Sequence, residues 1–121
     1  MFLGNILSVK LFTPSALTRD FDWIRIISPI ETLTIDSCLT FLYHNRFTDI
    51  ALYHYNESSL GHIATITHNG QAVIWKYAMY ELKAGHQGII FQFNRLIAKD
   101  KNIALDEIRI ENATCSRIGV V

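Results

Sequence analysis

Residues 62–77 read HIATITHNGQAVIWKY, and the Asn69-Gly70 pair inside them is the strongest short-range fold signal in the chain. Both central residues of a type I′ turn need a positive φ, which asparagine and glycine tolerate best. Apolar residues alternate with polar ones on both sides of the pair, as in two half-buried strands. The stretch therefore predicts an antiparallel β-hairpin with a two-residue turn.

A two-residue turn also fixes which residues of the two strands stand opposite each other. It places His62 opposite Tyr77, one pair beyond Trp75, with Glu81 further along the same face. Because apolar side chains dominate that face near the turn, we expect it to pack on the core and its polar end to line the mouth of a pocket. His54, on the preceding strand, is a fourth polar candidate. The candidate ligand-binding residues are therefore His54, His62, Trp75, Tyr77 and Glu81.

Further strands are predicted on both sides of this hairpin, over residues 7–11, 50–55, 89–97 and 103–111. Each is a short run of β-branched, aromatic or alternating residues that ends at a turn signal. Consecutive strands joined by short turns favour an antiparallel meander.

Helices are predicted only in the N-terminal half. Asp36 suits an N-cap, and Ile35, Cys38, Leu39 and Leu42 form one apolar stripe behind it. Residues 15–35 fit either a helix or a strand, because 28–31 has the form of a capping box whereas 32–35 alternates. We therefore expect a single α+β domain over residues 1–121. It would be an antiparallel meander of five or six strands, with one or two helices covering one face.

The charge composition limits the classes of partner that the chain can bind. The chain has 121 residues, 11 basic and 11 acidic, and only 18% of its residues are charged, compared with about 25% in an average protein. This balance argues against nucleic acid as a partner, since a phosphate backbone is bound by clustered Lys and Arg. No apolar stretch approaches the ~18 residues of a membrane span. A surface with so little net charge does little to resist association, so we expect a homodimer.

The two cysteines, Cys38 and Cys115, form no CxxC pair and lie far apart in the sequence. We expect free thiols in a reducing compartment, and therefore a cytoplasmic protein. The N-terminus has no basic segment before its apolar residues, which also argues against a signal peptide. Secretion stays open as an alternative. On that route two N-x-[ST] sequons, at Asn56 and Asn112, would become relevant.

Neither a metal nor an organic cofactor is predicted. The five histidines show no HExxH or HxH spacing, and the chain has no glycine-rich phosphate loop or G-x-S-x-G motif. Two functions are compatible with the candidate residues. The preferred one is a binding or interaction module that self-associates and holds a small apolar ligand in the pocket under the sheet. The alternative is a small acid–base enzyme that uses His62, Tyr77 and Glu81 on a small organic substrate.

Overall fold

In a computed structural model, which describes residues 5–12, 21–68, 70, 74–96 and 103–118, two antiparallel β-sheets face each other across a shared core. That part of the chain contains nine strands and one helix of four residues. The elements are β1 Asn5–Phe12, β2 Phe21–Ile27, β3 Glu31–Leu33, β4 Ser37–Asn45, β5 Asp49–Tyr55, β6 Leu60–Ile66, β7 Lys76–Leu82, β8 Gly85–Leu96, β9 Ile103–Glu111 and α1 Cys115–Ile118. In these ranges no helix has the length and apolar character needed to cross a membrane.

The strand pairing is nested. β1 pairs with β9, β2 with β8, β4 with β7 and β5 with β6, always antiparallel. These are the pairs of one long hairpin whose tip lies between β5 and β6. Two more pairs, β4 with β9 and β5 with β8, roll the hairpin into a first sheet of order β1-β9-β4-β7 and a second sheet of order β2-β8-β5-β6. Eight strands in this order make a jelly roll, to which β3 adds a short pairing with β8.

The core lies between the two sheets. Leu39 and Phe41 of β4 face Phe91 and Phe93 of β8, and all four side chains are at most 2% exposed. The rings of Phe41 and Phe91 meet edge to face with their centroids 5.1 Å apart, a favourable geometry for two aromatic quadrupoles. Alternate residues of each strand thus point inward, as in other β-sandwiches.

The expected α+β fold is wrong, because the segment predicted as the covering helix is the central strand β4. Cys38 and Phe41 are both fully buried although they point to opposite faces, so β4 is covered on both sides. A strand covered on both sides has a nearly continuous run of apolar residues. Such a run also contains apolar residues at helical spacing, so it resembles the apolar stripe of a helix. Asp36 caps no helix. Its carboxylate accepts a hydrogen bond of 2.9 Å from the backbone N–H of Ala84 in the turn between β7 and β8.

In the segment left open between helix and strand, residues 21–27 and 31–33 form the strands β2 and β3, and its described part contains no helix. Residues 13–20, where a short helix was one alternative, lie outside the described residues. The strands predicted over 7–11, 50–55, 89–97 and 103–111 are confirmed as β1, β5, β8 and β9, except at position 97, which lies outside the described residues. The predicted antiparallel pairing is confirmed for the described strands. The predicted single meander is wrong, because the strands form two sheets that face each other.

The hairpin predicted at Asn69-Gly70 is wrong. β6 pairs with β5 in the second sheet and β7 with β4 in the first sheet, so the two strands are consecutive but not paired. Gly70 has the expected positive φ of 67°, and its N–H donates to the carbonyl oxygen of Arg46 at 2.7 Å. Asn69 itself lies outside the described residues. A turn signal describes the local backbone and does not specify whether the strands that it joins pair with each other.

Because β6 and β7 do not pair, the face of β7 that meets the core is the opposite of the predicted one. Ala78 and Leu82 point into the core, whereas Tyr77 is 57% exposed and Glu81 is exposed as well. Trp75, Tyr77 and Glu81 therefore do not face the core as predicted. Tyr77 and Glu81 lie on the outer face of the first sheet, because side chains alternate along β7 and Ala78 and Leu82 take the inner face. Trp75, just before β7, lies on the same outer face against His44.

The cysteines are not free thiols as predicted. Cys38 of β4 and Cys115 of α1 form a disulfide with Cα atoms 4.8 Å apart, within the range that this bond requires. The bond fixes α1 against the outer face of the first sheet, where α1 contacts β4 and β7.

Candidate functional site

A cleft of about 480 Å³ opens at one end of the sandwich. Its wall comes from the hairpin of β5 and β6, the end of β7 and the start of β8. The polar residues that line it are Asn56, Ser59, Lys83, Gln87, Glu81 and three histidines, His54, His62 and His86. Three imidazoles, a carboxylate, an ammonium group and two amides thus surround one space. This arrangement suits a small polar molecule better than an apolar one.

Three of the five predicted site residues line this cleft, namely His54, His62 and Glu81. The two histidines lie on neighbouring strands because β5 and β6 pair around the loop that follows Tyr55, with His54 opposite Gly61 and His62 opposite Tyr53. Trp75 and Tyr77 are not among the residues that line the cleft. Tyr77 lies at the other end of β7 and Trp75 directly precedes that strand, so the predicted pocket is only partly assembled.

His62 and His54 are each held by a neighbour. His62 Nε2 lies 2.8 Å from the hydroxyl oxygen of Thr65, and its ring stands edge-on to Tyr53 with centroids 5.5 Å apart. The ring of His54 lies directly over Gly61, where a Cβ would be 2.3 Å from His54 Cε1. Glycine at position 61 therefore allows the imidazole of His54 to lie flat against β6.

Glu81 is engaged with the backbone beside the disulfide. Its Oε2 accepts a hydrogen bond of 2.9 Å from the N–H of Cys115. Its carboxylate and the sulfurs of Cys38 and Cys115 lie within 4.8 Å of one another, a spacing that would suit a metal ion. Both sulfurs are bonded to each other, however, so neither is a thiolate ligand in this form.

His86 was not predicted as a site residue, although it joins the cleft to a hydrogen-bonded chain. Its Nδ1 lies 3.1 Å from Thr32 Oγ1 and its Nε2 lies 3.0 Å from Glu57 Oε1. The pKa of Glu57 is lowered, mainly by a hydrogen bond from its own backbone N–H and further by the bond to His86. The three residues are far apart in sequence, and only the pairing of β3 with β8 sets Thr32 beside His86. No signal in the sequence predicts these hydrogen bonds among Thr32, His86 and Glu57.

A second surface feature is an aromatic stripe on the outer face of the first sheet, which we define as Trp75, Tyr77, Met79 and Leu42. Trp75 is 46% and Tyr77 is 57% exposed, while Met79 and Leu42 are half-buried. Tyr77 stands opposite Leu42 in the register of β7 with β4. The Trp75 ring covers the buried His44 edge-on, with centroids 4.6 Å apart. Large exposed side chains that share one face mark a surface suited to a partner.

Comparison with known proteins gives no family for this chain. No protein-family model matches it, and no curated protein is significantly similar to it.

Proposed function

We propose that the chain is an interaction module that self-associates through β7 and the aromatic stripe beside it. The observation that carries this proposal is the exposure of Tyr77, on the edge strand β7, and of Trp75, which directly precedes that strand. Jelly rolls serve many unrelated functions, so the argument rests on this surface and not on the fold.

The edge of β7 is open for pairing. In the first sheet β7 has β4 on one side, and within the described residues no strand covers the other side. An open edge presents unpaired backbone N–H and C=O groups to which another strand can add. The seven residues of β7 contain no proline, and their only charged side chains are Lys76 and Glu81.

A second copy of the chain fits this edge because its side chains can form hydrogen bonds across the two-fold axis. Antiparallel pairing of two β7 strands about a two-fold axis at Met79 sets Tyr77 of each copy opposite Glu81 of the other. The phenol of Tyr77 can then donate a hydrogen bond to the carboxylate, once on each side of the axis. The formal net charge of zero also removes long-range repulsion between copies.

The test is the oligomeric state in sedimentation velocity over a concentration series. We expect a dimer for the wild-type chain and a monomer for the double variant Trp75→Ser/Tyr77→Ser. Trp23→Ser is the matched control, because Trp23 is 54% exposed but lies on β2 of the second sheet. A wild-type monomer at high concentration, or equal dissociation in the control, would contradict the proposal.

Met79→Cys tests the register independently of stability. Cross-strand neighbours at a two-fold axis have Cα atoms about 4.5 to 5.5 Å apart, which a disulfide spans. We expect this variant to form a covalent dimer under mild oxidation. Thr65→Cys, exposed on β6 in the other sheet, is the control that should stay monomeric. Equal cross-linking of both variants would mean random collision.

The small apolar ligand has a different candidate place from the polar cleft. A cavity of about 230 Å³ is lined mainly by apolar side chains of β2, β8 and β9, among them Ile26, Ile89, Phe91 and Ile108. Benzene is a suitable probe, because enclosed cavities of about 150 Å³ with apolar linings bind it. Benzene is therefore expected to raise the melting temperature of the wild type, and Ile26→Phe, which fills the space, should reduce that rise. An unchanged melting temperature would exclude the apolar ligand.

A small acid–base enzyme remains the second candidate, supported by His62 and Glu81 lining one cleft. Tyr77 is not part of that cleft, so the catalytic set would be smaller than the sequence suggested. The ring resonances of His62 and His86 are expected to move when imidazole or acetate is added as a probe. His68, bonded to Asp49 at 2.7 Å outside the cleft, is the internal control. Equal shifts at all three histidines would argue against a site.

A further inference from the structure

We infer that the chain folds in an oxidising secretory compartment and that Asn56 carries an N-linked glycan there. The first observation is the disulfide between Cys38 and Cys115, which joins positions 77 residues apart. Cys38 is fully buried on the outer face of β4, where the bond joins it to α1, so the disulfide is enclosed within the fold. Disulfides of this structural kind form and persist in secreted and extracellular proteins and are rare in the cytosol.

The second observation is the pair of sequons. Asn56-Glu57-Ser58 lies in the loop between β5 and β6, and Asn112-Ala113-Thr114 follows β9. On a secretory route such tripeptides are acceptors for N-linked glycans. Their presence has no meaning in the cytosol, so the disulfide is what makes them informative.

The loop geometry leaves the reacting atom of Asn56 available. Asn56 Oδ1 accepts hydrogen bonds from the Ser58 N–H at 2.9 Å and the Ser59 hydroxyl at 3.0 Å. Its Nδ2 donates no hydrogen bond to any residue that the structure describes. Residues 57–60 are all exposed. A glycan on Nδ2 can therefore point into solvent without breaking the turn.

The second sequon is more enclosed. Residues 111–115 are all half-buried, and Cys115 lies three positions beyond Asn112 with its N–H bound to Glu81. A glycan on Asn112 would stand beside α1 and the disulfide. Asn56 and Asn112 are both half-buried, but the residues that follow Asn56 are exposed and those at 113–115 are not. Asn56 is therefore the more open acceptor, and Asn112 is the natural comparison.

The chemistry is a group transfer from an oligosaccharide linked to a lipid pyrophosphate. The anomeric carbon of the sugar forms a new C–N bond to Asn56 Nδ2, and its bond to the pyrophosphate oxygen breaks. The amide gives up one proton and the lipid pyrophosphate leaves with the bonding electron pair. Because Asn56 lines the cleft of His54 and His62, the attached glycan would screen that cleft from macromolecules. It would leave the aromatic stripe on the first sheet uncovered.

The experiment is expression of the full chain behind a cleavable secretion signal in eukaryotic cells, followed by treatment with a glycan-releasing amidase. We expect the secreted wild type to gain mobility on a gel, and Asn56→Gln and Ser58→Ala each to lose one glycan. Asn112→Gln is the comparison that should keep the Asn56 glycan. Equal gel mobility of the secreted wild type and the secreted Asn56→Gln variant would contradict glycosylation of Asn56.

Alkylation of the same samples tests the compartment. In denaturant, where burial no longer protects Cys38, Cys38 and Cys115 are expected to resist alkylation in the secreted chain until a reductant is added. The same chain retained in the cytosol is expected to be alkylated at both positions and to melt at a lower temperature. A reduced cytosolic chain as stable as the secreted one would overturn the compartment inference. Neither result depends on whether the chain forms a dimer.

Discussion

Reduction of the Cys38–Cys115 disulfide is expected to lower the free energy of unfolding by about 4.5 kcal/mol. The bond joins positions 77 residues apart. In the chain-entropy model, closing a loop of n residues removes about 2.1 + 1.5R ln n cal/mol/K from the unfolded state, which gives ~15 cal/mol/K here. A typical domain has a total stability of about 5 to 15 kcal/mol. The bond is therefore expected to supply a large share of the stability of this chain.

The assay is urea unfolding of the wild-type chain with and without a phosphine reductant. Reduction of the wild type tests the cross-link alone, because no atom is removed from the packed site of Cys38. The double variant Cys38→Ala/Cys115→Ala adds a packing cost, since the Cys38 side chain is fully buried. The reductant should not change the stability of that variant. A loss below about 1 kcal/mol on reduction would refute the loop-entropy reasoning.

Other consequences concern the segment around β8. Gly88→Ala is expected to lower the free energy of unfolding by about 1 to 3 kcal/mol, because a Cβ there would clash with the Tyr55 ring and lie 2.9 Å from the Ser28 carbonyl oxygen. An unchanged melting temperature would contradict this clash. Tyr55→Phe removes the hydrogen bond that the phenol donates to the Ser28 carbonyl and should cost about 1 kcal/mol in urea unfolding, whereas equal stability would mean that water replaces the bond. The lowered pKa of Glu57 stabilises the fold at pH values above the ordinary carboxyl pKa, and this contribution is lost as the pH falls through the lowered value. In NMR titration His86→Gln should raise the pKa of Glu57 only part of the way, because the backbone hydrogen bond is the larger cause; a full return to the ordinary value would reverse that order.

The strands could be predicted where a local pattern suffices. β5 is an apolar run bounded by turn residues, and its hairpin with β6 closes over the loop of residues 56–59. Short loops between paired strands leave a local signature in the sequence. The proximity of His54 and His62 followed from that hairpin.

β4 shows why the helix prediction was wrong. Its Cys38, Leu39, Thr40 and Phe41 are all nearly inaccessible to solvent, so no alternation between apolar and exposed residues distinguishes it from a buried helix. Periodicity loses its meaning for a strand covered on both faces. The covering element on the outer side is α1, held by a disulfide whose partner lies 77 residues away.

Long-range pairing decides the remainder of the fold and the site. In a nested arrangement, the chain between β6 and β7 must cross from one sheet to the other, although it contains a good turn signal. Alternation along β7 still determines that Tyr77 and Glu81 share one face, because that property belongs to the strand alone. Trp75, just before the strand, joins this face through its contact with His44. Whether this face meets the core or the solvent depends on the pairing of β7 with β4, which no local pattern reveals. The same three residues therefore define an exposed surface for a partner chain instead of the wall of an internal pocket.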